Sequence, residues 1–361
     1  MSFPAQTRAG EALLRDADRL YRLDRIDDPE VFALDLGWRG PERPLRLPLG
    51  KAPLGAWLPL SITQGPEGWR TDLVWGGDRR FTQPFSEDDL LQWSWRPLGR
   101  LLRPWLDLEG LIARGEALEA PPPAGLIFHI SRCGSTLLTR MLGAMDGVVA
   151  LSEPPPLEAL IGAGRTDPSL DEPTRLRALR AAAALMGRPR PGPDGRLILK
   201  FDSWSLFDLP FIRQAFPRSP VVVLHRDPLA VLASHGRMPG RHMVPGLIDW
   251  RCEPPAGSTG EYRARLLGAL CEAAGDAATT LAAVRVLSYD ALVGLEPAQV
   301  AGLFNLEAGS RDQAAMAAVR AMDAKAPDDP FRPRSDPLDP SVVDQAEQWA
   351  RPAWRRLAAL G

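Results

Sequence analysis

Five short apolar runs punctuate the middle and later chain, at 126–130, 148–151, 197–199, 221–224 and 284–287. Between them lie stretches with helical spacing of apolar residues, at 134–145, 157–187 in pieces, 205–216, 228–236 and 261–283. Continuous apolar strands alternating with helices predict a parallel sheet covered on both faces, an α/β fold. In the stretch 134–145, Leu137, Leu138, Met141, Leu142 and Met145 form one apolar face that should lie on that sheet.

The pattern before residue 120 is different. Trp69 to Trp75, then Gly76-Gly77, then 78–82 reads as a hairpin on a two-residue turn. Residues 86–118 read as mostly helical. Leu13, Ala17, Leu20 and Tyr21 predict one face of an amphipathic helix. Seven of the eleven tryptophans fall here, at 38, 57, 69, 75, 93, 95 and 105; they are expected to fill a small core, the second reading being a lid or acceptor platform over the main site. The proline-rich stretch 119–125 reads as a linker. The organisation expected is a Trp-rich α+β region over 1–120, a larger α/β domain over 124–340, and a C-terminal surface helix over 341–361.

Composition narrows the partners. The 361 residues carry a net charge of −2, which argues against broad nucleic-acid or membrane-surface binding. No apolar run approaches the ~18 residues of a membrane span. Cys133, Cys252 and Cys271 are widely spaced, and His129, His225, His235 and His242 show no metal-ligand spacing, so neither a disulfide framework nor a metal is assigned. The chain is expected to be soluble and cytoplasmic. Oligomeric state is not legible in it.

Ligands of open α/β sheets bind beyond the carboxyl ends of the strands. The first run is followed there by Ser131-Arg132-Cys133-Gly134-Ser135-Thr136, and the second by Ser152-Glu153 and three prolines. The third is followed by Lys200-Phe201-Asp202-Ser203, the fourth by His225-Arg226-Asp227-Pro228 and the fifth by Ser288-Tyr289-Asp290. A Gly-containing turn that opens a helix is an anion site. A nucleoside-triphosphate loop would carry Lys where Ser135 stands. Cations and carboxylates on one rim point to an anionic ligand and acid–base work. Tyr289 and Asp290 are expected to pack and to cap a helix, and His129 to be a core residue. Cys133 is expected to pack, although a helix N-terminus can lower a thiol's pKa.

At these residues the chain resembles the sulfotransferases that use 3′-phosphoadenosine 5′-phosphosulfate (PAPS). SRCGSTLL resembles their 5′-phosphosulfate loop, and VVVLHRDPLAVLAS their 3′-phosphate motif, with Ser eight residues after Arg. LKFDSW and VLSYDALVGLEP resemble the segments that follow two other core strands, and the likeness covers about 124–334. It implies a P-loop-type sheet, PAPS as sulfate donor and no metal. It also implies a small-molecule, glycan or lipid acceptor that the sequence does not identify. Arg132 would neutralise the bridging oxygen and sulfuryl group. Ser131, Cys133, Gly134, Ser135 and Thr136 would complete the 5′ site, and Arg226 and Ser234 would hold the 3′-phosphate. Lys200 would reach the transferred group.

The chain departs from the family in two places. Asp202 stands where cytosolic members have a catalytic His, whereas Glu153-Pro154 fits branches with a Glu base. Glu153 is therefore the first choice of base and Asp202 the second, with capping the plainer role for Asp202. The closing loop is a loose match: by the resemblance Lys325, Arg332 and Arg334, set among prolines, would cover the adenosine end, and the plainer reading is solvated charges in a proline-rich loop. Two alternatives stand beside this reading: a kinase or triphosphatase whose Walker B strand ends at Asp227, and a non-catalytic nucleotide-binding module.

Overall fold

The structure is a computed structural model, described here for residues 12, 14–17, 43–188, 195–247, 257–326, 328–331 and 339–361. The chain forms two compact units, Met1–Pro121 with Glu153–Gly195, and Pro122–Ser152 with Arg196–Gly361.

The first unit holds a four-stranded sheet of β1 (Leu45–Pro48), β2 (Trp57–Gly65), β3 (Gly68–Trp75) and β4 (Leu102–Asp107), in the order β1-β4-β3-β2. The hairpin is β2–β3, and its turn is Pro66-Glu67. The expected partner at 78–82 is not a strand, because Gly76 and Gly77 end β3 instead of reversing it. Pro66 suits the second position of a β-turn and Gly68, at φ +99°, its end. The helical expectation for 86–118 holds for Ser86–Trp95, Pro97–Leu101 and Leu108–Glu116, but β4 interrupts it. In β4 alternate residues are buried, the two-residue period of a strand.

Trp57, Trp75 and Trp93 are buried core residues as expected, with Trp57 and Trp75 edge-on at 5.1 Å. Trp95 is exposed. Leu14 and Ala17 join the core, whereas Leu13, Leu20, Tyr21 and Trp38 lie outside the described residues. The helices Pro155–Thr166 and Glu172–Met186 belong to this unit. The second packs so closely on Leu108–Glu116 that a Cβ at Gly115 would overlap Ala181.

The second unit is built on β5 (Gly125–His129), β6 (Val148–Ser152), β7 (Arg196–Lys200), β8 (Val221–His225) and β9 (Val284–Ser288). All four pairings are parallel, in the order β6-β7-β5-β8-β9, and helices flank the sheet. Every residue of β5 and of β8 is buried, as expected of strands covered on both faces. The order matters for function. The connection from β5 passes beyond β7 to β6, and the connection from β8 passes the other way to β9. The carboxyl ends of β5 and β8 therefore open at the topological switch point, where such sheets leave a crevice.

Asp227 caps the helix Pro228–Arg237 by accepting from the Leu229 N–H at 2.8 Å, with Pro228 at the first helical position. The C-terminal segment is less a surface helix than expected. It runs as Pro340–Gln345, a π-helical turn at Ala346–Ala350, and Arg351–Ala358. Ala346, Ala350, Ala353 and Leu357 are buried against the long helix Thr259–Thr280. Gly268 permits that contact, since a Cβ there would overlap the Trp349 carbonyl. No helix among the described residues is long and apolar enough to cross a membrane.

Candidate functional site

The turn after β5 is conformationally unusual. Ser131, Arg132 and Gly134 have φ of 78°, 52° and 82°, all left-handed. For Ser and Arg this costs about 1–2 kcal/mol each, so the surroundings must hold them there. Three contacts do so. Ser131 N–H donates to His129 Nδ1 at 3.0 Å, Cys133 Sγ donates to the Leu224 carbonyl at 3.3 Å, and Arg132 Nη2 donates to the Met238 carbonyl at 2.6 Å. Gly134 is required, because a Cβ would meet the Tyr289 ring at 3.0 Å as well as face the positive φ. The helix Ser135–Gly143 starts immediately afterwards, and the first N–H groups of a helix have no intrahelical acceptor. Successive N–H groups in such a turn form an anion-binding concavity.

Arg226 follows β8, the neighbour of β5. Its Nη1 donates to the Arg132 carbonyl at 3.4 Å, and its guanidinium lies 4.2 Å from the centre of the Tyr289 ring. The adjacent Asp227 does not neutralise it. That carboxylate caps its helix and pairs with Arg351 at 2.7 Å. Among the described residues, no carboxylate lies within ion-pair distance of Arg226. Ser234 is half-buried, two turns along the Pro228–Arg237 helix.

Lys200 ends β7 and is fully buried. Its Nζ donates to Thr136 Oγ1 at 3.3 Å and to Ser152 Oγ at 3.0 Å. The ammonium thus joins the ends of β6 and β7 to the first turn of the Ser135–Gly143 helix. Positive charge is placed behind the turn, with hydroxyls taking over part of the hydration lost on burial.

His235, His242 and Tyr289 complete the surroundings; Tyr289 packs as expected, here against Arg226, whereas sequence reasoning gave no site role to His235 or His242. His235 Nε2 lies 3.0 Å from Ser131 Oγ, and its Nδ1 accepts from the Gly240 N–H at 3.1 Å. Burial pushes its pKa down to about 2, helped electrostatically by the neighbouring His242, Arg132, Lys325 and Arg263. The His242 ring stands edge-on to it at 5.5 Å, and His242 Nε2 is 3.3 Å from Ser203 Oγ. No local motif flags these residues, because 104 positions separate Ser131 from His235.

The remaining expected residues are distributed as follows. The Cys133 thiol is fully buried and pushed up to about 12 by burial, so it packs and is not a reactive thiolate; only its backbone faces the turn. Asp202 precedes the 3₁₀ turn Ser203–Asp208, but its side chain does not cap it; its carbonyl accepts from Ser205 N–H at 3.0 Å. Ser288, not Asp290, caps the helix Tyr289–Gly294. Glu153 follows Ser152 directly, with a left-handed φ of 50°, and begins the segment that belongs to the first unit. Lys325 is exposed and close enough to act electrostatically on His235. Arg332 and Arg334 lie outside the described residues. Among the described residues, no group of three or more His, Cys, Asp or Glu is arranged to hold a metal ion.

No family model matches the chain, and no curated protein matches it. Among solved structures it is similar to the sulfotransferase STF1 from Mycobacterium tuberculosis H37Rv. The identity is 15%, the match covers 70% of this chain and 82% of that one, and the TM-score is 0.36.

Proposed function

We propose that the second unit is a P-loop-type nucleotide site for sulfuryl transfer, with PAPS as donor and an alcohol or amine as acceptor. The carrying observation is the bond from Arg226 Nη1 to the Arg132 carbonyl at 3.4 Å, which fastens the residue after β8 to the turn after β5 at the point where the strand order reverses. An adenosine phosphorylated at both its 5′ and 3′ positions needs two cationic sites one ribose apart. Arg132 and the N–H groups of Cys133, Gly134, Ser135 and Thr136 would take the 5′ end, and Arg226 with Ser234 the 3′-phosphate. The donor set suits the ligand. The turn has a left-handed glycine that no other residue could replace without displacing Tyr289, and Arg226 has no carboxylate to neutralise it among the described residues. The engagement of Asp227 by Arg351 counts against the kinase or triphosphatase reading, which needs that carboxylate free.

The donor supplies an activated sulfuryl group that is passed in line, as in phosphoryl transfer. The residues of the chain orient it and hold charge. Arg132 and the turn's N–H groups stabilise negative charge on the leaving end, and Lys200 supports them through Thr136. Glu153, next to the Ser152 that receives Lys200, would take the acceptor's proton. Asp202 is the second choice of base. Lys325, Arg332 and Arg334 would cover the adenosine end. The acceptor's class, whether small molecule, glycan or lipid, is left to the screen below.

Incubating the full chain with ³⁵S-labelled PAPS and a pooled metabolite extract tests the reading. Label is expected to pass to an organic product, and Glu153→Gln is expected to slow this by about 100-fold or more while nucleotide affinity is kept. Hydrolysis of ATP with Mg²⁺, without consumption of PAPS, would contradict it.

A further inference from the structure

The ring of His235 is fully buried, and its two nitrogens face different groups. The N–H of Gly240 donates to Nδ1, and a backbone N–H cannot accept, so Nδ1 carries a lone pair. A second proton on the ring would collide with that N–H. Burial and the surrounding cations act in the same direction and keep the ring neutral. Its single proton is therefore on Nε2. The direction of the 3.0 Å bond follows: Nε2–H donates and Ser131 Oγ accepts.

Ser131 is 5% exposed, and its N–H is committed to His129 Nδ1. Among the described residues its hydroxyl bonds to His235 alone, so the hydroxyl proton remains to be donated. The opposite tautomer would reverse this. Ser131 would then donate to Nε2 and present only lone pairs, which repel an anion. A proton placed 104 residues away thus sets the sign of the interaction between Ser131 and whatever the turn holds.

We infer that the Ser131 hydroxyl is a dedicated donor to the anion bound in the 131–134 turn, and that His235 is the positioning residue that fixes its direction. The inference rests on the nucleotide reading, in which that anion is the 5′ end of the donor. The contact also ties the turn to the Pro228–Arg237 helix, which carries Ser234.

Three variants separate the roles. Ser131→Ala removes the donor. His235→Asn keeps an acceptor for Gly240 but has nothing at the Nε2 position, and His235→Gln restores a donor there. The probes are 3′-phosphoadenosine 5′-phosphate and adenosine 3′-phosphate, which lacks the 5′ group, titrated by calorimetry with each variant's thermal transition recorded alongside. Ser131→Ala and His235→Asn are expected to bind the bisphosphate about tenfold more weakly, as for a lost bond to a charged group. They should bind the 3′-monophosphate within about twofold of wild type, by the same criterion. His235→Gln is expected to recover most of the loss, and the double variant Ser131→Ala/His235→Asn to be no weaker than Ser131→Ala. Nitrogen-15 spectra of the histidines in the free protein are expected to show His235 as the Nε2–H tautomer.

Unchanged bisphosphate affinity in Ser131→Ala, or an Nδ1–H tautomer, would overturn the inference. So would an equal loss for both probes in His235→Asn. No binding of the bisphosphate by the wild-type chain would overturn the nucleotide reading, and the donor role with it; the tautomer is read without ligand.

Discussion

Arg226 donates to the carbonyl of Arg132, so the residue that ends β8 is fastened to the turn that ends β5. The Arg226 side chain is thereby brought to the backbone of the turn that carries Arg132, from a position 94 residues away in the chain. Packing against the Tyr289 ring holds the Arg226 guanidinium, and the Arg351–Asp227 pair engages the carboxylate that follows it in the chain. A cation held in this way stays available to an incoming anion, whereas one with a carboxylate partner would have to break that pair first.

Gly134→Ala is expected to destabilise the fold by about 1–2 kcal/mol, the cost of a left-handed alanine. Its Cβ would also press on the Tyr289 ring that packs against Arg226, so binding of the bisphosphorylated nucleotide should fall as well. Gly236→Ala makes the contrasting control. It lies inside the Pro228–Arg237 helix with open space around its Cβ, and is expected to stabilise by about 0.5–1 kcal/mol. Thermal unfolding of the two variants checks the pair; equal shifts would mean the turn is not strained.

Acid should weaken the protein partly through His235. Its folded pKa, about 2, lies below the unfolded value of 6.5. Below pH 6.5 the unfolded chain binds a proton that the native ring refuses, so this contribution is complete above pH 6.5 and is lost as pH falls. The slope is about 1.4 kcal/mol per pH unit. Between pH 6.5 and 5 the wild type should therefore lose about 2 kcal/mol more than His235→Gln. His225, also lowered by burial, and Asp89, raised to about 6 by burial, titrate in both proteins and cancel in the difference. Denaturant melts at several pH values measure it; parallel stability curves would show that His235 is not buried neutral.

Gly268→Ala is expected to lift the C-terminal segment from the Thr259–Thr280 helix, since the added methyl overlaps the Trp349 carbonyl. Overpacking of this kind costs about 1–3 kcal/mol. Hydrogen exchange should quicken across 340–358 before it does in the sheet. Unchanged exchange there would mean that the two helices do not touch through this glycine.

The five parallel strands were legible because each is a short apolar run with no polar alternation, the mark of a strand buried on both faces. The rim was legible for the same reason, since strand ends define it. The N-terminal sheet was harder. In β4, Pro104 and the flanking helical stretches mask a period of two that is only six residues long. The hairpin was misplaced because Gly76-Gly77 does open a turn, closed by Arg79 N–H on the Gly76 carbonyl, but no strand follows it; Pro66 and Gly68 carry the turn of the hairpin. His235 was hidden more deeply. It belongs to no local pattern, and it gains its part only when the sheet brings β5 and β8 side by side.

The central claim is tested most directly by titrating 3′-phosphoadenosine 5′-phosphate and AMP into the wild-type chain and into Arg226→Ala. The wild type is expected to prefer the bisphosphate by about 10- to 100-fold, the worth of bonds to a charged group, and Arg226→Ala to bind the two nucleotides alike. Equal affinity of the wild type for both would contradict the account.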